Sequence, residues 1–259
     1  MNLDQWLVAQ VQLFALVFFR VLSLCLVAPI FGNKTLTPRI KVAFGLCLAI
    51  LLMPLMVRTQ VPVVRAWAVL PGLILMECSV GFMIGLVASL LFAATHLSGE
   101  ILGRHMGFGM ARVLDPESGN QSSVIANFEN LLALMLFLAI GGHHLLVMAL
   151  CDSFEIVPIG GVQCHSGMAM EMVRVVGRIF PVAIKITAPA FAILMVTTVV
   201  IGLVARCVPQ MNVLIVGMPL RVGVGLIGLA ACVPMFSYVF EQMMKTTYGD
   251  IYTMLRQMH

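Results

Sequence analysis

The chain has 259 residues, of which 61% are hydrophobic and 10% are charged, and its formal net charge is +4 at pH 7. Soluble domains carry about 25% charged residues, so this composition excludes a chain with a normal water-facing surface and predicts a membrane protein or a subunit that is largely covered by partners. No basic patch with interleaved aromatic residues is present, which argues against a nucleic-acid partner.

Six apolar segments follow one another along the chain, and none shows the alternation expected of a strand. A helix needs about 20 apolar residues to cross the hydrocarbon core of a bilayer, a length that only the second segment clearly lacks. We therefore predict an all-α protein with about six segments of transmembrane type, arranged as helical hairpins. The segments are Leu7 to Phe31, Val42 to Val57, Val69 to Ala94, Leu131 to Leu150, Ile179 to Ala205 and Met211 to Phe240.

The last apolar segment is the most interrupted of the six. It contains Pro219 and Pro234 together with four glycines. Proline removes a helical hydrogen bond and glycine is a weak helix former. We therefore expect a broken helix or a helical hairpin in this segment.

Charged residues are placed unusually for a protein that simply crosses a membrane. Lys and Arg in the connecting segments divide six against six between the two sides, so they give no orientation. An ionised group at the bilayer centre costs about 2.5–3.5 kcal/mol on insertion scales. Two interpretations remain open: buried pairing within a bundle, for example Arg20 with Glu77, or helices covered by other subunits instead of lipid. The residues concerned are Arg20, Glu77, Lys185 and Arg221.

Small residues recur at every fourth position of the third apolar segment, namely Gly81, Gly85, Ser89 and Ala93. This spacing places them in one ridge along a helix. Ridges of small residues let two helix backbones approach closely. The ridge predicts helix packing and indicates no particular function.

No constellation in the sequence supports catalysis. His96, Glu100 and Arg104 share one helical face, where a charge ladder is the simplest interpretation. The adjacent His143 and His144 point in different directions on a helix, and a metal site needs three or four converging ligands. No nucleophile elbow, zincin motif or phosphate-binding loop is present. We therefore expect no enzyme activity, no catalytic residues, no metal and no cofactor.

Four blocks of sequence, in matching order and spacing, strongly resemble the FliR family of flagellar biosynthetic proteins. Residues 106–119 read MGFGMARVLDPESG, and the block NLLALMLFLAIGGHHLLVMALCDSFEIVPIG follows them. The other two blocks are FFRVLSLCLVAPIFG near the start and VPQMNVLIVGMPLRVGVG near the end. The resemblance covers about residues 10–245, and the gate subunits of virulence type III secretion systems are more distant relatives.

The resemblance implies a core subunit of the flagellar type III protein export gate. In that family, one FliR-type chain assembles with five FliP and four FliQ chains into a helical cone in the basal body, at the bacterial inner membrane and largely above the membrane plane. An FlhB-type switch protein surrounds its base, and unfolded flagellar subunits pass through its centre. The resemblance implies one domain over residues 1–259, with a FliP-like part at roughly 1–175 and a FliQ-like part at roughly 176–259.

The resemblance also implies that residues 106–119 project into the channel as a plug. Apolar side chains and glycines suit a seal that must yield to many different passing sequences. A turn then ends the loop. Arg112 adds a positive charge, which would either repel basic cargo or anchor the plug to an acidic neighbour. The implied plug residues are Met106, Gly107, Phe108, Gly109, Met110 and Arg112, and the turn residues are Asp115, Pro116, Ser118 and Gly119.

Two alternatives remain open at this point. A gate subunit of a virulence secretion system would share fold and mechanism and differ in cargo. A six-span solute transporter would need paired broken helices in two related halves, and no such internal repeat is visible in the sequence.

Overall fold

The computed structural model describes residues 3–29, 37–56, 69–108, 123–163, 167–208, 210 and 213–258. All regular structure in these ranges is helical apart from turns, which confirms the predicted all-α class. The eight α-helices in these ranges are α1 (Leu3–Val27), α2 (Pro38–Met56), α3 (Leu70–Met106), α4 (Val124–Ala139), α5 (Gly142–Ile156), α6 (Gly167–Gly177), α7 (Ile179–Cys207) and α8 (Val213–Gln257).

Four stretches of helix in the described residues are long and apolar enough to cross a membrane. A fifth is formed by α4 and α5 if this pair, which is bent by 66°, counts as one span. The bend lies in the middle of the fourth predicted segment. Gly141 has a φ of +79° there, a backbone conformation that glycine adopts without steric cost. The four stretches are Leu7–Val27, Leu70–Met106, Gly167–Cys207 and Ile215–Gln257.

The last apolar segment is one continuous helix, and the expected break or hairpin is not there. Helix α8 runs for 45 residues through both Pro219 and Pro234. Apolar helices tolerate internal proline when neighbouring groups compensate for the lost hydrogen bond. Proline content therefore pointed to the wrong segment, and the sharp change of direction occurs at a left-handed glycine.

The chain forms two compact units, each assembled from separate segments. The first contains residues 1–90, 141–176 and 245–259, and the second contains residues 91–140 and 177–244. Helices α3 and α8 contribute to both units. The division into FliP-like and FliQ-like parts near residue 175 concerns likeness to other proteins and stays a prediction.

In the first unit, α1 packs against α2 and α3, and its contact with α3 depends on two glycines. A Cβ atom at Gly81 would lie 2.0 Å from the carbonyl oxygen of Arg20, and one at Gly85 would lie 3.0 Å from Cβ of Val27. A larger residue at Gly81 would push the two backbones apart. Of the other ridge residues, Ser89 is half-buried and Ala93 is exposed.

In the second unit, the end of α3 packs closely against α4. A Cβ atom at Gly99 would lie 2.4 Å from Cα of Ala126, so these backbones are in direct contact. Helices α7 and α8 complete the core around the last turns of α3. The buried core residues are Leu102, Met106, Ile125, Ala190, Leu194 and Leu229.

Candidate functional site

The candidate site is the connection between α3 and α4, which contains the predicted plug. The structure describes its first residues, Met106, Gly107 and Phe108, and resumes at Ser123. The remaining predicted plug and turn residues lie outside the described residues. They are Gly109, Met110, Arg112, Asp115, Pro116, Ser118 and Gly119.

Helix α3 ends because Gly107 leaves the helical conformation. Its N–H donates a hydrogen bond to the carbonyl of Arg104 at 3.2 Å, and its φ is +99°. An L-residue rarely adopts such a φ, whereas glycine does so readily and commonly ends helices. The direction in which the plug segment leaves α3 is therefore set at Gly107.

Met106, the last residue of α3, is fully buried in the core of the second unit. It fills a space that Gly225 of α8 leaves open. A Cβ atom at Gly225 would lie 2.7 Å from Cγ and 2.8 Å from Cε of Met106. The side chain that begins the predicted plug is thus packed against α8.

One face of α8 lies next to the start of the predicted plug segment, and we call it the α8 seat. It consists of Met218, Arg221 and Gly225, whose spacing places them on one side of the helix. The methyl group of Met218 lies 3.7 Å from the Cβ position of Gly107. Nε of Arg221 is buried and has no hydrogen-bond partner among the described residues.

The far end of the connection is held by α3 as well. Ser123 caps α4 through its side-chain oxygen, which accepts a hydrogen bond from the Ile125 N–H at 3.3 Å. The N–H of Ser123 donates to Oε1 of Glu100 at 2.8 Å. A Cβ atom at Gly103 would lie 2.0 Å from Oγ of Ser123. The connection therefore starts and finishes within about two turns of α3.

Sequence reasoning missed the role of Glu100. It placed Glu100 in a charge ladder with His96 and Arg104, and Arg104 does donate from Nε to the carbonyl of Glu100 at 3.3 Å. The serine before the apolar run of α4 was a recognisable capping signal. The contact of Glu100 with that serine depends on how α3 and α4 pack, which spacing along the chain does not reveal.

A second polar cluster lies in the first unit around Arg20 and Glu77. Both side chains are fully buried and form an ion pair in which Nε of Arg20 donates to Oε2 of Glu77. Two other nitrogens of Arg20 donate to the carbonyl of Ser153 at 2.9 Å and to that of Val157 at 3.1 Å. Oε1 of Glu77 accepts from the Gly160 N–H at 2.9 Å.

This cluster joins α1, α3 and the end of α5. The carbonyls that Arg20 binds belong to the last turn of α5, where the helix dipole favours a positive charge. The guanidinium carbon also lies 4.4 Å from the centre of the Phe154 ring, a distance suited to a cation–π contact. The other two predicted buried charges differ, because Lys185 is exposed and Arg221 is half-buried.

The histidines do not form a metal site in the described part of the chain. The rings of His143 and His144 have centroids 4.3 Å apart, and both residues are exposed. No three His, Cys, Asp or Glu side chains in the described ranges are placed to hold a metal ion. The expectation of no enzyme activity and no cofactor stays a prediction.

Most of the chain is similar to known proteins of a single family. Residues 11–247 match the model of the family described as bacterial export proteins, family 1. The flagellar biosynthetic protein FliR of Escherichia coli K12 is 29% identical over 252 residues, which cover 97% of this chain and 94% of the relative. FliR of Pectobacterium carotovorum subsp. carotovorum is 29% identical over 241 residues, with 93% and 92% covered. FliR of Caulobacter vibrioides is 31% identical over 221 residues, with 85% and 88% covered.

These matches span both compact units and every described helix from α1 to α8. The helices long enough to cross a membrane fit a membrane-embedded component. The chain belongs to the FliR family of bacterial export proteins and is a component of the flagellar export apparatus.

Proposed function

We propose that this chain is a core subunit of the flagellar type III protein export gate. Together with FliP and FliQ it forms the channel through which unfolded flagellar subunits cross the inner membrane. The expected complex contains one copy of this chain, five of FliP and four of FliQ, with an FlhB-type protein at its base. The observation that carries the proposal is the match over residues 11–247, with relatives that are flagellar FliR proteins.

The exposed surface of α7 supports a subunit that is covered by other helices. Val196, Val199 and Leu203 are each at least 60% exposed on this helix. Lys185 is exposed near Ile184 at the start of the same helix. Lipid would solvate the valines and the leucine, but a lysine within an apolar face is better accommodated by a protein partner. We therefore assign the α7 surface to contact with neighbouring gate subunits.

Within the gate, we assign residues 106–119 to the plug that closes the channel. Both described ends of the connection are held by α3, at Gly107 and at Ser123, which supports a plug that keeps its place. Phe108 and Met110 provide apolar side chains, and a narrow apolar constriction excludes water and ions. Sealing breaks no bond, which agrees with the expected absence of catalytic residues.

Native mass spectrometry of the co-expressed chains tests the proposal. The complex purified through a tag on this chain should contain FliP and FliQ in the ratio given above. Loss of this chain from cells should abolish secretion of flagellar subunits into the medium, and a plasmid-borne copy should restore it. A chain that purifies without either partner, or cells that still secrete in its absence, would contradict the gate assignment.

A further inference from the structure

The side chain of Met106 packs closely against Gly225. Three atoms of its side chain, Cγ, Cε and Sδ, lie within 3.0 Å of the place where a Cβ at Gly225 would stand. Gly223, two residues earlier in the same helix, has open space at its own Cβ position. Met106 therefore fills the space that the absence of a side chain at Gly225 leaves open.

Met106 is enclosed by the core of the second unit. It is fully buried and belongs to the same cluster as Leu102 of its own helix, Ile125 of α4 and Leu194 of α7. Gly99 brings the backbone of α3 into direct contact with α4 in the same unit. An added methyl group at residue 225 would therefore displace the Met106 side chain at the end of α3.

Displacement of Met106 would also shift the residues at the start of the plug segment. Gly107 follows Met106 directly, turns the chain with its φ of +99° and rests near the Met218 methyl group. Phe108 packs against the same core cluster. The α8 seat thus determines where the plug segment begins.

We infer that the α8 seat positions the plug, with Gly225 receiving Met106 as an anchor and Met218 supporting Gly107. Met106 then acts as the fixed root of the proposed plug. This inference rests on the proposed plug function. Gly225 and Met218 are positioning residues, since they act on the seal through Met106 and Gly107.

The test is Gly225→Ala in the complete gate, co-expressed with FliP and FliQ. Alanine favours helix over glycine, so the complex should still assemble. Overpacking weakens a closed arrangement, and we expect resting membrane conductance to rise about tenfold, equivalent to about 1.4 kcal/mol in the balance between sealed and open plug. An assembled Gly225→Ala gate as tight as wild type would overturn the inference.

Gly223→Ala is the matched control. Gly223 lies in the same helix as Gly225 and has no atom within 4 Å of its Cβ position. The change adds the same methyl group, so this gate should assemble and stay closed. Leakage in this control equal to that of Gly225→Ala would refute a specific slot.

The double variant Gly225→Ala with Met106→Ala tests the contact itself. Met106→Ala alone should leak because it empties the slot and loosens the plug root. In the double variant the new methyl group occupies part of the emptied space, so leakage should fall below that of either single variant. If the leakage of the double variant equalled the sum of the leakages of the two single variants, the residues would act independently and the inference would be wrong.

Two further variants keep the outcomes distinguishable. Met218→Ala removes volume and cannot overpack the core, so it remains a test even if Gly225→Ala fails to assemble. It should loosen Gly107 and raise the resting membrane conductance. A Met218→Ala gate with wild-type conductance would count against the α8 seat. Phe108→Ser with Met110→Ser tests the plug itself. If that gate leaks while the seat variants stay tight, only the present inference fails. If it stays tight, the plug proposal fails as well.

Discussion

Arg20 illustrates how a single charged side chain is accommodated inside an apolar bundle. Burial removes water from both Arg20 and Glu77, and a buried pair is stable only when its remaining donors and acceptors are satisfied. The carbonyls of Ser153 and Val157 and the N–H of Gly160 provide these partners. The residue therefore ties three helices together through hydrogen bonds as well as through charge.

Arg20→Leu should strongly destabilise the subunit. The change leaves the Glu77 carboxylate buried with the Gly160 N–H as its remaining hydrogen bond in the cluster, and removing one partner of a buried pair costs roughly 3–5 kcal/mol. The yield and thermal stability of the co-expressed complex are the measurements. Wild-type yield and motility in Arg20→Leu cells would refute the importance of the pair.

Arg174→Leu is the control for this change. Arg174 also pairs with a glutamate, Glu171, at 2.8 Å, but its own side chain is 63% exposed. The Glu171 side chain is 10% exposed, but water solvates the charge of Arg174, so this pair contributes less than one in which both partners are buried. The complex should therefore lose far less stability than it does with Arg20→Leu.

Glu129 presents the opposite case, a buried carboxyl with few partners. It is 3% exposed, and Oε2 has no hydrogen-bond partner among the described residues, although Ser98 bonds to the carboxyl group. A cavity of about 20 Å³ lies beside it, large enough for one water molecule. Replacing a poorly satisfied buried group by an apolar one of similar size is often nearly neutral.

We therefore expect Glu129→Leu to change the stability of the complex by less than about 1 kcal/mol, whereas Glu77→Leu should destabilise it severely. Thermal unfolding of the two complexes, compared side by side, is the measurement. Severe loss of stability in Glu129→Leu would contradict this expectation and would show that the carboxyl group contributes to stability through Ser98 or a bound water.

The sequence allowed prediction of some of these residue contacts and not of others. Arg20 lies in an apolar run, and pairing with Glu77 was one of the two interpretations that the sequence left open. The carbonyls of Ser153 and Val157 were not foreseeable, because their availability depends on where α5 ends in space. The Met106–Gly225 contact was not predicted for the same reason, because it joins residues more than one hundred positions apart in the sequence.

Among the helices, the elements were predicted well and their interruptions poorly. Length and hydropathy define where apolar helices lie, and every predicted segment overlaps a described helix. Helix α6 lies outside these segments, and α3 and α8 extend well beyond theirs. Proline suggested a break in α8 that does not occur. The bend between α4 and α5 depends on one left-handed glycine, Gly141, and an apolar run that contains Gly-Gly does not reveal whether the backbone takes that conformation.

The connection between α3 and α4 should seal the channel without being needed for folding. Phe108→Ser with Met110→Ser, or deletion of residues 107–109, leaves the Gly99–Ala126 contact intact, so the complex should assemble. Polar side chains in a narrow apolar constriction stabilise water there, and the gate should leak. Membrane conductance and small-solute influx are the measurements.

Met170→Ser is the control for the sealing experiment. Met170 is 70% exposed on α6, in the other compact unit. This gate should assemble and remain closed. If the Phe108 and Met110 gate assembled and were as tight as this control, residues 106–119 would not be the plug.

Glu100→Ala should release the far end of the same connection. The change removes the acceptor of the Ser123 N–H, and a hydrogen bond to a charged group contributes about 1.5–3 kcal/mol. Hydrogen exchange at the first amides of α4 should become faster in the assembled gate. Glu100→Gln retains an acceptor oxygen and should exchange more slowly than Glu100→Ala; equal rates in both variants would exclude the bond to Ser123 as the cause.

At the scale of the whole molecule, the described surface contains both large apolar side chains and charged side chains, so neither water nor lipid solvates all of it favourably. Large apolar residues such as Leu203 and Ile227 are 60% and 72% exposed, while Lys185 and Arg206 are exposed on α7. Exposure of the large apolar residues to water is unfavourable, and so is exposure of the charged residues to hydrocarbon. Neighbouring subunits can satisfy both, with apolar packing at some positions and hydrogen bonds at others.

The chain should therefore depend on assembly for its stability. Produced alone in the membrane, it would leave these surfaces uncovered, and we expect aggregation or rapid degradation. Simultaneous production of FliP and FliQ should extend its lifetime, because partners that bind only the folded chain stabilise it by mass action. Pulse-chase labelling measures the lifetime, and size-exclusion chromatography in detergent measures the aggregation state. An unrelated membrane protein produced at the same level controls for a general effect of expression. A long-lived, monodisperse monomer would mean that the exposed surface is compatible with lipid or detergent alone, and it would remove the main physical argument for an obligate gate subunit.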